Sequence, residues 1–121
     1  MYNATSSSPL IAAGCILYVF DLEGSNSAFD TVWSSPSVAL HVAMLSLKQG
    51  ECKAGLVIAV NQLFNASMFG AFAKAGMLSA SGRCHKWDAS ANGFLCSKGC
   101  GTIVLEAFNK SSSTDILIHL L

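Results

Sequence analysis

The sequence predicts an α/β layered fold, and three observations carry that prediction. Segments with helical and strand-like patterns alternate along the chain. Residues 54–60 are a continuous apolar, β-branched run, and residues 101–108 carry Thr-Ile-Val-Leu at their centre, as strands covered by helices do. The segment between about residues 35 and 48 carries Pro36 in its first turn and meets Gly50 just past its end, the usual punctuation of a helix.

Taken in order, residues 1–8 are polar and serine-rich and predict a frayed, disordered end. Ser8-Pro9 can cap and start a short helix reaching about Tyr18. Residues 23–26 read as a turn, and residues 27–32 as a short strand ending in a polar corner at Trp33. In the helix of residues 35–48, Val38, Val42, Leu45 and, one step round, Leu47 recur at helical spacing. Lys48 suits the negative end of that helix's dipole. Residues 54–60 fit a strand buried on both faces, as in a parallel sheet. Asn65 or Ser67 can begin a helix through Ala75, with its stop at Gly76. Residues 79–99, rich in Ser, Gly and Asn, form a long ordered loop, a class that usually serves function or covers a site. Residues 101–108 are a second buried strand, 109–114 a turn and 116–121 a last short strand. No internal repeat is visible.

Composition narrows the function classes. The 121 residues suffice for one small domain, and 52% of them are hydrophobic against 12% charged. So apolar a chain reads as part of a larger core, with its apolar faces covered elsewhere. Seven basic and seven acidic residues cancel to a formal net charge of zero without any basic stripe, which argues against a nucleic-acid partner. No polybasic run flanks an apolar segment. The longest apolar stretch, residues 9–20, falls short of the roughly 20 residues a membrane span needs and follows no charged leader. A cytoplasmic location is the resulting expectation, and the sequons at Asn3, Asn65 and Asn109 are then chance matches. Five cysteines, an odd number, argue against a disulfide framework. Cys84, His85, Cys96 and Cys100 lack the paired spacing of a zinc site, so no metal and no cofactor is expected.

The corner at Trp33 is the feature with chemical content. A side chain between a strand and a proline-started helix faces that helix's free N–H groups and positive dipole end. A cysteine there would have a stabilised thiolate, and the N–H groups could hold a developing oxyanion. Indole does neither job. Asp30, Thr31, Ser34, Ser35, Val38, Ala39, Leu40 and His41 surround Trp33 in a pattern that resembles the nucleophile motif of the β-ketoacyl synthases, roughly Asp-Thr-Ala-Cys-Ser-Ser-Ser-Leu-Val-Ala-Leu-His. The resemblance spans roughly residues 11–118. It includes Leu47-Lys48-Gln49-Gly50, Phe72-Ala73-Lys74-Ala75-Gly76-Met77-Leu78-Ser79, and Gly82-Arg83-Cys84-His85-Lys86-Trp87-Asp88, which leads into Asn92-Gly93. The corresponding family stretch reads Gly-Arg-Cys-Lys-x-Phe-Asp-x-x-Ala-Asp-Gly. Several blocks in the right order are far more specific than one short motif.

The resemblance implies a thiolase-like layered fold, with the chain as a fragment of its N-terminal half and residues 1–121 as one partial domain. It implies a relation to acyl transfer and decarboxylative Claisen condensation on acyl-carrier-protein thioesters, in polyketide or fatty-acid biosynthesis. The carrier protein would be a partner, and a ketosynthase-like chain a possible dimer partner. Trp33 falls on the nucleophilic cysteine, so the one candidate catalytic position is substituted and the chain is expected to be inactive, a pseudoenzyme. The family's two assisting histidines lie in later motifs that do not occur here; His41, His85 and His119 match neither. Ser34 and Ser35 read as turn and cap residues, Asp88 as a hydrogen-bond acceptor fixing its loop, and Lys74 as a helix-end charge. Cys15 stands where the family often has Arg, Pro36 at its third serine, and Ser97-Lys98 where it usually has Gly-Glu. The alternative expectation is a non-catalytic partner that docks on an intact ketosynthase through its apolar faces.

Overall fold

The computed structural model describes residues 8–110 and 113–120. Helix α1 spans Pro9–Val19, helix α2 Ser35–Gln49, strand β1 Ala54–Asn61, helix α3 Ala66–Lys74, strand β2 Gly99–Lys110 and strand β3 Ser113–Leu120. The expected α/β alternation is present. Of the expected frayed end, all but Ser8 lies outside the described residues. The chain divides into two compact units, Met1–Ala59 with Thr102–Leu121, and Val60–Gly101.

The helices start and stop where their punctuation dictates. Proline occupies the first turn of α1 and of α2, where a missing N–H costs nothing. Asn65 caps α3 by accepting the Ser67 N–H at 2.9 Å. At the C-terminus of α2, Gly50 takes a left-handed φ of 74°. Its N–H reaches Leu47 O and the Glu51 N–H reaches Ser46 O, satisfying two carbonyls the helix leaves unpaired. The end of α3 is closed by the same pair of bonds, from Gly76 to Ala73 and from Met77 to Phe72. In α1 the left-handed position falls on Asp21, whose short polar side chain tolerates it.

The core of the first unit is small. Leu47 is 1% exposed, Leu105 0%, and Val57 completes the fully buried set. Leu40, Ala43 and Met44 of α2 pack around them, with Ile103, Ala107 and Ile116 from the strands. The buried stripe of α2 is therefore Leu40, Ala43, Met44 and Leu47, at a spacing of i, i+3, i+4 and i+7. Of the apolar residues that recur at helical spacing, Val38, Val42, Leu45 and Leu47, only Leu47 is buried, while Val42 is 37% and Leu45 42% exposed. The helix carries two apolar stripes, and periodicity alone does not say which one meets the sheet. Where α2 passes β1, a Cβ on Gly55 would lie in ordinary van der Waals contact, 3.7 Å from the Cβ of Ala43.

The sheet has the order β1-β2-β3. Strands β2 and β3 pair antiparallel from Ile103 opposite Leu120 to Lys110 opposite Ser113. Strands joined this closely along the chain can only meet antiparallel. Of the turn expected over residues 109–114, residues 109–110 and 113–114 belong to β2 and β3, and residues 111–112 lie outside the described residues. On β1, Val57 is buried while Leu56 and Val60 are exposed, so burial on both faces does not hold within this chain. The strand expected over residues 27–32 is absent, with only an isolated bridge at Thr31 and Trp33. Among the described residues no helix is long and apolar enough to cross a membrane.

With so few fully buried side chains, each one counts. Leu47→Ala is expected to cost about 2–5 kcal/mol, and Val42→Ala on the exposed stripe much less. Urea unfolding followed by circular dichroism distinguishes the two.

Candidate functional site

The corner between residues 30 and 35 is closed by side-chain bonds to its own backbone, which is why no strand forms there. Asp30 Oδ1 accepts the Val32 N–H at 3.3 Å. Ser35 Oγ accepts the Thr31 N–H at 2.8 Å and donates to Val32 O at 2.7 Å. The Ser35 N–H reaches the same carbonyl at 3.3 Å. Ser34 Oγ donates to Thr31 O at 2.8 Å and lies 2.9 Å from Thr31 Oγ1. Three of these bonds converge on Val32, which they hold at a φ of 60°. A β-branched residue pays for that conformation, on the order of 1–2 kcal/mol, and keeps it only when its surroundings over-determine it.

Trp33 follows directly and is 65% exposed at the N-terminal end of α2. Its indole N–H can only donate, and its nitrogen lone pair belongs to the ring, so the position carries no nucleophile. Ser34 and Ser35 are the turn residues expected, their hydroxyl protons committed to carbonyls, but neither caps α2 through its side chain: Ser34 sits at the cap position without such a bond and Ser35 is already helical. His41 is exposed on α2, and no bond links it to either serine. His119, near Glu106 at 4.0 Å, belongs to the β2–β3 pair.

The second unit holds the loop that follows α3. Phe72 and Phe94 meet edge to face, with ring centroids 5.6 Å apart. The Ser79 N–H donates to Phe94 O at 3.0 Å and the Phe94 N–H to Met77 O at 3.1 Å, clamping the two ends of the loop together. Gly93 sits inside the clamp with a φ of 142°, and a Cβ there would be 2.5 Å from Ser79 N. Ser79 is buried; its Oγ donates to Asn92 Oδ1 at 2.6 Å and lies 2.9 Å from Ser81 Oγ, which in turn is 3.1 Å from His85 Nε2. Cys84 Sγ accepts the Leu95 N–H at 3.0 Å, a structural use of that thiol. Asp88 Oδ1 accepts the Ser90 N–H at 2.9 Å, the loop-fixing role expected of it. The Ser90 backbone N–H first, and its side chain second, hold the Asp88 carboxyl below the ordinary carboxylate range. Among the described residues no three His, Cys, Asp or Glu side chains gather as a metal site. The Ser79–Asn92 pair escaped sequence reasoning; an Asn-Gly step inside a long Ser-rich loop was its only signal.

Comparison with known proteins adds the following. Residues 1–111 match the family described as beta-ketoacyl synthase, N-terminal domain. The chain is 42% identical over 105 residues, 87% of its length, to polyketide synthase ThaG of Burkholderia thailandensis. It is 36% identical over 110 residues, 91% of its length, to probable polyketide synthase 1 of Dictyostelium discoideum. It spans only 2% and 4% of those proteins. The oxazolomycin ketosynthase domain of Streptomyces albus superposes with a TM-score of 0.79 at 32% identity, over 83% of this chain and 18% of that one. The ketosynthase from module 6 of the bacillaene synthase of Bacillus subtilis gives 0.79 at 36% identity, over 82% and 18%. The fold is the thiolase-like fold of these domains over the part that matches.

Two outcomes follow from the geometry. Val32→Gly removes the side chain that disfavours a positive φ and is expected to raise stability by up to about 1 kcal/mol in urea titration, the net of relieved strain and added chain freedom. Because the Ser90 hydrogen bonds hold the folded Asp88 carboxyl below its ordinary range, its contribution is present above the unfolded pKa and is lost as pH falls through the lower folded one. Protection of the Ser90 amide from hydrogen exchange should follow that titration and be insensitive to pH there in Asp88→Asn.

Proposed function

The chain belongs to the β-ketoacyl synthase family, and from that membership we propose that its 121 residues are one partial N-terminal ketosynthase domain with a preserved corner and no covalent chemistry of its own. The supporting observation is Trp33. It follows the strained Val32 and precedes α2, in the position the family motif gives to the cysteine that carries the acyl chain. In that chemistry a thiolate attacks a thioester carbonyl on the acyl-carrier protein, a new S–C bond forms, and the carrier's thiol leaves. An indole has no lone pair to start the step, and the flanking hydroxyls are committed to Thr31 and Val32 carbonyls. The relatives being polyketide synthases, polyketide assembly in the cytoplasm is the favoured context.

A second reading is favoured by one further observation. Leu10, Ile11, Tyr18, Val19 and Phe20, in and just after α1, are all exposed. A helix apolar all round is normally a buried one. Since the chain spans 18% of the solved ketosynthases it matches, the rest of a ketosynthase is the natural cover, and the chain would act as a docked, non-catalytic partner.

Incubation with a radiolabelled acyl thioester tests the first reading. The native chain is expected to take up no hydroxylamine-labile label, and Trp33→Cys to gain one without condensing it further. Stable acyl loading of the native chain overturns inactivity. Co-purification with a full-length ketosynthase supports the second reading, and a non-associating monomer by light scattering overturns it.

A further inference from the structure

Asn92 and Gly93 combine three features that favour attack of a backbone nitrogen on a side-chain amide. Gly93 has no Cβ to crowd its nitrogen. Its N–H makes none of the hydrogen bonds formed among the described residues, so no partner has to be given up. The buried Ser79 donates its hydroxyl proton to Asn92 Oδ1 at 2.6 Å, which draws electron density away from Cγ and stabilises negative charge on that oxygen. Asn92 is exposed, so water reaches it, and its Nδ2 accepts no constraint from a protein partner.

We propose that Asn92 is a site of spontaneous deamidation in the folded chain, with Ser79 as the group that polarises the amide. The Gly93 nitrogen gives its proton to a solvent base and attacks Asn92 Cγ. The new N–C bond forms, the Cγ–Nδ2 bond breaks, and the amide nitrogen leaves as ammonia after taking a proton from water. The cyclic imide so formed is opened by one water at either of its carbonyls. Residue 92 becomes aspartate or isoaspartate, and nothing is oxidised or reduced.

The two products have opposite consequences. Aspartate places a carboxylate on the Ser79 hydroxyl, replacing a neutral hydrogen bond by a stronger charge-assisted one. Isoaspartate lengthens the backbone by a methylene immediately before Gly93, where the backbone is already tight. A Cβ on Gly93 would lie 2.6 Å from Leu78 C and 2.8 Å from Met77 O. The added length forces apart the two bonds between Phe94 and the 77–79 segment.

The test is incubation of the purified full chain at mildly alkaline pH, with peptide mapping by mass spectrometry that resolves aspartate from isoaspartate. Acid is expected at residue 92, while Asn65, held as a helix cap and followed by Ala66, stays an amide. The folded chain should deamidate at Asn92 faster than the same chain unfolded in urea, by about three- to tenfold, the range that one neutral hydrogen bond commands. Ser79→Ala should slow the folded chain by a similar factor. If that variant does not fold, the folded-to-unfolded comparison of the native chain stands alone. A folded rate equal to or below the unfolded one, or an Asn92 that stays intact, overturns the proposal.

Discussion

Leu47 against Val57 and Leu105 is the contact on which the described part of the first unit depends. Each such side chain, when fully buried, is worth about 1.5–3 kcal/mol, and among the described residues the buried apolar set is Leu47, Val57 and Leu105. The contact fixes the C-terminal half of α2 on the sheet. The helix then acts as a rigid arm. Twelve residues separate Leu47 from Ser35, about 18 Å of helix at 1.5 Å per residue, so the place of the corner is set by packing well away from it.

The corner is built so that its shape does not require a particular residue at position 33. Its closing bonds run among Asp30, Thr31, Val32, Ser34 and Ser35. Those residues pay for the left-handed backbone at Val32, and a nucleophile would be the beneficiary of that strain. None of these closing bonds uses a side chain at position 33. Fold and chemistry are separable here because different atoms carry them.

Much of this was legible in the residues. Pro36, Gly50, Asn65 and Gly76 bound their helices where the chain said they would, because these signals act within one turn of backbone. The corner was legible as a motif, though the labour of Asp30 and Thr31 was visible only as a match. What failed were readings that depend on a partner far away in sequence. Burial of β1 on both faces was one, since Leu56 and Val60 are exposed here. The strand expected before Trp33 lost to local hydrogen bonds from short polar side chains, which compete with a ladder wherever no neighbouring strand is in reach. The Ser79–Asn92 bond joins residues thirteen apart across a loop, a pairing that no periodicity encodes.

The exposed stripe of α2 has a further meaning. A helix with one apolar stripe is an outer layer, with the sheet below and water above. A helix that meets the sheet through Leu40, Ala43, Met44 and Leu47 and offers Val42 and Leu45 on another side is shaped as the filling of a sandwich. Such a filling has no favourable free surface. Whatever second slice closes over it contributes to the stability of the first, so the folding of these residues and their assembly with that slice are one equilibrium rather than two.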